Sequence, residues 1–174
     1  MSAFFARVLL VEDEPADVRL IQELLREAPQ VAVEVVAVDR LSAAQAALGG
    51  GEPFDAILLD LNLPDSRGVE TVQRVVTLAP GVPIVVLSGL EDEAAIAQAV
   101  EEGAQDYLIK GHLTPPLIAH AIRFAIERQR ILNEKYVRLS ELARSVSLQR
   151  LASLESKIER LVELVAEGRS RSEG

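Results

Sequence analysis

The chain has 174 residues, of which 49% are hydrophobic and 26% charged, and its formal net charge is −9. This length and composition are typical of a globular protein with one well-buried domain and an appendage. The acidic balance argues against nonspecific binding of nucleic acid or anionic membranes, and the absence of cysteine excludes disulfides and thiolate metal sites.

The beginning of the chain does not have the pattern of a signal peptide. Its apolar stretch reaches Glu12 and Asp13 within a few residues, and it lacks both a basic start and a small-residue cleavage site. No segment approaches the ~18 apolar residues that a membrane-spanning helix needs. We therefore expect a cytoplasmic protein with neither a membrane nor a nucleic acid as partner.

Short apolar runs rich in β-branched residues alternate with helical patterns along the first part of the chain. Pro15 suits the first position of a helix, Ser42 is a candidate N-cap for a second, and Pro115 opens a fifth. The apolar runs are residues 8–11, 31–38, 56–59, 84–87 and 107–109. This alternation predicts an α/β fold, a doubly wound (βα)5 unit with a five-stranded parallel sheet.

Helical character continues beyond this unit into a C-terminal extension. Neither proline nor glycine occurs between residues 117 and 166, and apolar residues recur at spacings of three and four. This spacing is interrupted between Val146 and Leu151, so the apolar residues before and after the interruption follow two different registers. The interruption indicates either a stutter in a continuous coiled coil or a bend between two helices. We predict a domain at 1–128, a coiled-coil extension at 129–166 that pairs with its own copy, and a disordered tail at 167–174.

Charged and polar residues stand at the ends of four predicted strands. Ligands of a parallel sheet bind outside the carboxyl ends of its strands, so these residues are expected to converge on one edge. They are Glu12, Asp13, Asp60, Ser88 and Lys110. Three neighbouring carboxylates favour a hard divalent cation such as Mg²⁺, and the hydroxyl and ammonium suit a phosphoryl group.

Taken singly, each of these residues has a simpler explanation. Glu12 or Asp13 could cap the helix at Pro15, and Asp60 could cap the turn that follows it. Ser88 could be an ordinary turn residue and Lys110 a solvated surface lysine. Their joint placement at four strand ends favours a site.

The segments VLLVEDEPAD, ILLDLNLPDSRG, IVVLSG and GAQDYLIKG resemble, in order, the motifs of bacterial response-regulator receiver domains, the chemotaxis-regulator-like superfamily with a flavodoxin-like fold. The resemblance covers about residues 6–128. It implies that Asp60 accepts a phosphoryl group from a sensor histidine kinase. It also implies that Mg²⁺ is bound by Asp13, Asp60 and the backbone carbonyl of Asn62, with Glu12 acting through water.

The same resemblance implies a conformational switch. Ser88 would bond a phosphoryl oxygen, Lys110 would pair with the phosphoryl charge, and Tyr107 would move inward. Proline often follows the lysine in the family, whereas Gly111 does so here, and we expect a trans Lys110–Gly111 peptide because a cis bond there costs ~3 kcal/mol. Leu90 cannot position a hydrolytic water, which suggests a long-lived phosphorylated form.

The process that such a regulator controls, its output, is indicated less clearly by the sequence than the receiver is. No helix-turn-helix pattern follows the first domain, so we expect a signalling protein without enzymatic turnover that controls dimerisation or binds a downstream protein through its helix. A magnesium-dependent phosphohydrolase with an aspartyl nucleophile is one alternative. A constitutive coiled-coil scaffold with a vestigial site is the other.

Overall fold

The computed structural model describes residues 4–28, 31–89 and 93–172. Its centre is a five-stranded parallel sheet made of β1 (Phe4–Val11), β2 (Val31–Val38), β3 (Ala56–Asp60), β6 (Ile84–Ser88) and β7 (Asp106–Ile109). The strand order is β2-β1-β3-β6-β7. The predicted doubly wound, flavodoxin-like fold is therefore confirmed.

Five α-helices connect or follow these strands: α1 (Pro15–Glu27), α2 (Leu41–Leu48), α3 (Val69–Leu78), α4 (Glu93–Glu101) and α5 (Pro115–Ser172). Helices α1 and α5 begin at the prolines that the sequence pattern indicates. The N-cap of α2 is Arg40, which makes no side-chain capping bond, so the prediction of Ser42 as its cap is wrong. A distant carboxylate bonds the first amides of α2 instead.

The core has two layers because the sheet is covered on both faces. Side chains of β1 and β3 alternate between the layers. Leu9 and Leu59 belong to one cluster, whereas Leu10 and Leu58 pack with Ile122 of α5 in the other. All five residues of β3 are buried, so Asp60 ends a strand that has no solvent-facing side.

A small hairpin between β3 and α3 was not predicted. Its strands are β4 (Asn62–Leu63) and β5 (Ser66–Arg67). Leu63 at 1% exposure anchors it to the core. Gly68 closes the loop with φ +64°, and its amide donates to the carbonyl of Leu61 at 2.7 Å. A side chain there would be strained, which explains the glycine.

The chain divides into two compact units, Met1–Ile131 and Leu132–Gly174. The predicted boundaries at 128 and 166 stay predictions. Helix α5 is continuous through Gln149 and ends at Ser172, whereas the tail was expected to begin at residue 167. Gly168 lies within the helix, because a single glycine costs only about 1 kcal/mol there. Residues 173–174 and Leu90 lie outside the described part of the chain. No helix in that part combines the length and hydropathy that crossing a bilayer requires.

A carboxylate and lysine site at the carboxyl edge of the sheet

The strand order reverses between β1 and β3, which creates a crevice at their carboxyl ends. Glu12 and Asp13 follow β1 at this crevice. Glu12 is 1% exposed, and its Oε1 accepts a hydrogen bond from the amide of Glu14 at 3.1 Å. Asp13 is exposed to solvent. One carboxylate is thus held inside the protein while its neighbour faces the opening.

Asp60 lies on the other side of the crevice, at the end of β3. It is 4% exposed, and its Oδ1 accepts a hydrogen bond from the amide of Asn62 at 3.1 Å. This bond fixes the orientation of the carboxylate and leaves Oδ2 directed to the lysine described next. The residue that the sequence singled out is therefore buried and oriented by its own loop.

Lys110 enters the crevice from the 3-10 turn Lys110–His112 that follows β7, and its peptide bond to Gly111 is trans as expected. Its Nζ lies 2.6 Å from Glu12 Oε2, 2.8 Å from Asp60 Oδ2 and 2.9 Å from Asp17 Oδ2. The contacts with Asp60 and Asp17 have the geometry of hydrogen bonds, and the contact with Glu12 is an ion pair. Lys110 holds three carboxylates together.

Asp17 is a member of this cluster that the motif comparison missed. It lies in the first turn of α1, one helical turn after Asp13 and at the same edge of the sheet. The start of α1 at Pro15 was the available signal, because it places position 17 near the carboxyl end of β1. The contact with Lys110 spans 93 residues, which no local pattern reveals.

The surroundings shift the pKa of two of these groups. Burial raises the pKa of Glu12 and the nearby Asp60 charge adds to this effect, while bonds from Lys110 and the Glu14 amide oppose it. Burial disfavours the ammonium of Lys110, but its contacts with Asp60, Glu12 and Asp17 outweigh this effect and raise its pKa. Lys110 is consequently charged across the physiological range.

The carboxylates have the chemistry of a divalent cation site. One oxygen from each of Glu12, Asp13 and Asp60 lies within 4.8 Å of the others. Among the described residues, the ammonium of Lys110 pairs with Glu12, Asp60 and Asp17, and Asp13 adds a further carboxylate, so formal negative charge is in excess. Hard oxygen donors and uncompensated negative charge fit Mg²⁺ or a similar ion.

Ser88 lies at the carboxyl end of the sheet, whereas Tyr107 is the second residue of β7 and pairs with Val86 in the middle of β6. Ser88 ends β6, next to the strand of Asp60, and is aligned with Ile109 of β7. The side chain of Tyr107 is 40% exposed. The structure therefore brings Glu12, Asp13, Asp60 and Lys110 together, with Ser88 at the adjacent strand end and Tyr107 on the surface.

Residues 8–123 match the response regulator receiver domain. The chain belongs to this family. It is similar to the two-component response regulator ORR1 of Oryza sativa subsp. japonica, with 32% identity over 112 residues, 60% of this chain and 48% of that protein. The matched segment spans between about a quarter and a half of the length of the curated relatives.

Two solved structures resemble the receiver in sequence and fold. The Mn²⁺-bound form of response regulator Rcp1 is 28% identical with a TM-score of 0.55, covering 70% of this chain and 90% of that one. The phosphorylated cyanobacterial phytochrome response regulator RcpA is 29% identical with a TM-score of 0.55, covering 75% and 92% respectively. Together with the family match, they identify the receiver domain of a two-component response regulator.

Proposed function

We propose that Asp60 accepts a phosphoryl group from the phosphohistidine of a sensor histidine kinase. A carboxylate oxygen of Asp60 would attack phosphorus and form a P–O bond as the P–N bond to histidine breaks, and the imidazole nitrogen keeps the electron pair. The observation that carries this proposal is the placement of Asp60 at the crevice, buried, oriented by the Asn62 amide and paired with Lys110 at 2.8 Å. The resemblance to RcpA, solved in a phosphorylated form, supports it.

Lys110 would exchange one of its hydrogen-bond acceptors during this reaction. Once Asp60 is phosphorylated, its carboxyl oxygens carry less charge, and the N–H of Lys110 that bonded Asp60 Oδ2 becomes available to a phosphoryl oxygen. The contacts with Glu12 and Asp17 would keep the ammonium in place meanwhile. The same cation would thus neutralise the site before transfer and the phosphoryl group after it.

Glu12, Asp13, Asp60 and the carbonyl of Asn62 would hold Mg²⁺, with Glu12 acting through water. The bound ion would supply charge neutralisation for the phosphoryl oxygens. The three carboxylates within 4.8 Å and the Mn²⁺-bound relative support this assignment. Ser88 would donate to a phosphoryl oxygen and Tyr107 would move inward, so that phosphorylation shifts the population of two receiver conformations.

The extension would pair with a second copy of the chain. Its apolar side chains are more than half exposed along one helix, which is a large unpartnered surface for a monomer. They include Tyr136, Leu139, Leu142, Val146, Leu151, Leu154, Ile158 and Leu161. Pairing of two such helices would bury them, and the phosphorylation state would control this assembly or the binding of a downstream protein.

A thermal unfolding experiment with beryllofluoride, a stable mimic of the phosphoryl group, tests the site. Wild type should gain stability when beryllofluoride and Mg²⁺ are both present, because a ligand of the native state raises the unfolding temperature. Asp60→Asn should gain none. A gain that is equal in the variant, or independent of Mg²⁺, would contradict the proposal.

A further inference from the structure

Asp65, at the tip of the hairpin after Asp60, bonds the start of a helix that is distant in sequence. Its Oδ1 accepts from the amide of Leu41 at 2.8 Å, and its Oδ2 accepts from the amide of Ser42 at 2.9 Å. These are the first two amides of α2, and the side chain of the N-cap residue Arg40 makes no capping hydrogen bond. The two oxygens of one carboxylate therefore join the phosphoacceptor loop to α2.

The hairpin connects this contact to the proposed metal site. Asn62 pairs with Arg67, and Leu63 pairs with Ser66, so the turn at Pro64 and Asp65 closes a two-strand ladder. Asn62 stands at the open end of that ladder, and its amide donates to Asp60. A ladder of only two pairs is marginal by itself, so fixing its tip restricts the residue at its base.

The protonation of Asp65 agrees with a firmly held carboxylate. Desolvation would raise the pKa of Asp65, but hydrogen bonds from the amides of Ser42 and Leu41 outweigh it and lower the pKa below the usual range. The positive end of the α2 dipole favours the same ionised form. Asp65 is thus charged and doubly bonded at neutral pH.

We propose that Asp65 is a positioning residue for divalent cation binding: its bonds to α2 fix the hairpin and so hold the Asn62 carbonyl in place for the ion. This inference rests on the proposed function, because it concerns the same Mg²⁺ site. Asp65 itself would not touch the ion. Its effect would be that of a supporting contact, which in metal sites is worth about tenfold or more in affinity.

The test is a calorimetric titration of full-length chains with Mg²⁺, at a temperature where circular dichroism shows all of them folded. Asp65→Asn removes one acceptor oxygen, and Asp65→Glu keeps the charge but lengthens the side chain. Asp55→Asn is the matched control: Asp55 is also exposed and its Oδ2 accepts a backbone amide, that of Arg7 at 2.7 Å, before the amino end of β3.

We expect both Asp65 variants to bind Mg²⁺ about tenfold more weakly than wild type, and Asp55→Asn to bind it as wild type does. Wild-type affinity in Asp65→Asn, or in Asp65→Glu alone, would overturn the inference, the latter because charge rather than geometry would then be responsible. An equal loss in Asp55→Asn would also overturn it. Failure of wild type and Asp55→Asn to bind Mg²⁺ at all would instead refute the proposed function.

Discussion

At the scale of single residues, the site is a balance between one cation and four carboxylates. The sequence predicted Asp60, Glu12, Asp13 and Lys110 correctly as neighbours because parallel strands bring their carboxyl ends to one edge. It could not predict Asp17 as a partner of Lys110, since that contact joins the first turn of α1 to the turn after β7, 93 residues away in the chain. Motifs locate residues at strand ends, whereas side-chain partners on helices require the packed structure.

Replacement of Lys110 by methionine should destabilise the protein at neutral pH. Glu12 and Asp60 would then be buried without their cation, which we expect to cost about 2 kcal/mol, less than a fully buried pair because Lys110 retains 15% side-chain exposure. Mg²⁺ at saturation should reduce the loss, because it supplies positive charge to the same oxygens. Chemical denaturation with and without Mg²⁺ measures both effects.

Lys135→Met, in the exposed helix of the extension, is the control and should leave the free energy of unfolding unchanged. A Lys110→Met protein as stable as wild type in metal-free buffer would show that the three ion pairs contribute nothing.

At the scale of elements, the sequence predicted where the helices and the five sheet strands lie but missed the hairpin and the cap of α2. Strands of two residues give no periodic signal. Ser42 is a sound local candidate for an N-cap, but the acceptor comes from Asp65, 23 residues later. Local rules for helix caps fail when a side chain from a distant loop accepts the hydrogen bonds of the first helix amides.

Because Asp65 caps α2, we expect the difference in unfolding free energy between wild type and Asp65→Asn to depend on pH. Because the pKa of Asp65 is lowered on folding, its stabilisation is present above its ordinary value of 3.8 and disappears as the pH falls through the folded value. The variant should be about 1 kcal/mol less stable at pH 7, the usual size of a lost N-cap. The two unfolding free energies should converge below pH 4.

Urea denaturation at several pH values between 3 and 7 measures this difference, with Glu155→Gln in the extension as an exposed carboxylate for comparison. A gap between wild type and Asp65→Asn that stays constant with pH would mean that the ionised carboxylate is not what stabilises α2.

At the scale of the whole molecule, alternating strands and helices sufficed to predict the sheet and both of its covered faces. The spacing of apolar residues also predicted a long helix after the receiver. The sequence left open whether one helix or two helices span the segment from Val146 to Leu151, and the structure has the single helix α5 there. Which surface covers its exposed apolar residues depends on a second chain, so a single sequence could only predict association.

Association through the extension predicts that a charge in its apolar stripe lowers the solution mass. Leu154 is 55% exposed and lies in the stripe, so Leu154→Asp should weaken self-association by at least about tenfold, because an unpaired charge would be buried in the interface. Ser156→Asp, two residues further and off the stripe, introduces the same charge as a control. Sedimentation equilibrium across a concentration series measures both.

A chain that is monomeric in wild type, or a Ser156→Asp protein that dissociates as readily as Leu154→Asp, would contradict pairing through this stripe.

The measurement that tests the account most directly is the intact mass of the chain after incubation with a small phosphoryl donor such as acetyl phosphate and Mg²⁺. Wild type should gain the mass of one phosphoryl group, located on Asp60 by peptide mapping, and should stop at one per chain while the donor remains in excess. Asp60→Asn should gain none. A wild-type mass that does not change, a variant that is modified equally, or steady consumption of many donor equivalents per chain would contradict a receiver that is switched at Asp60.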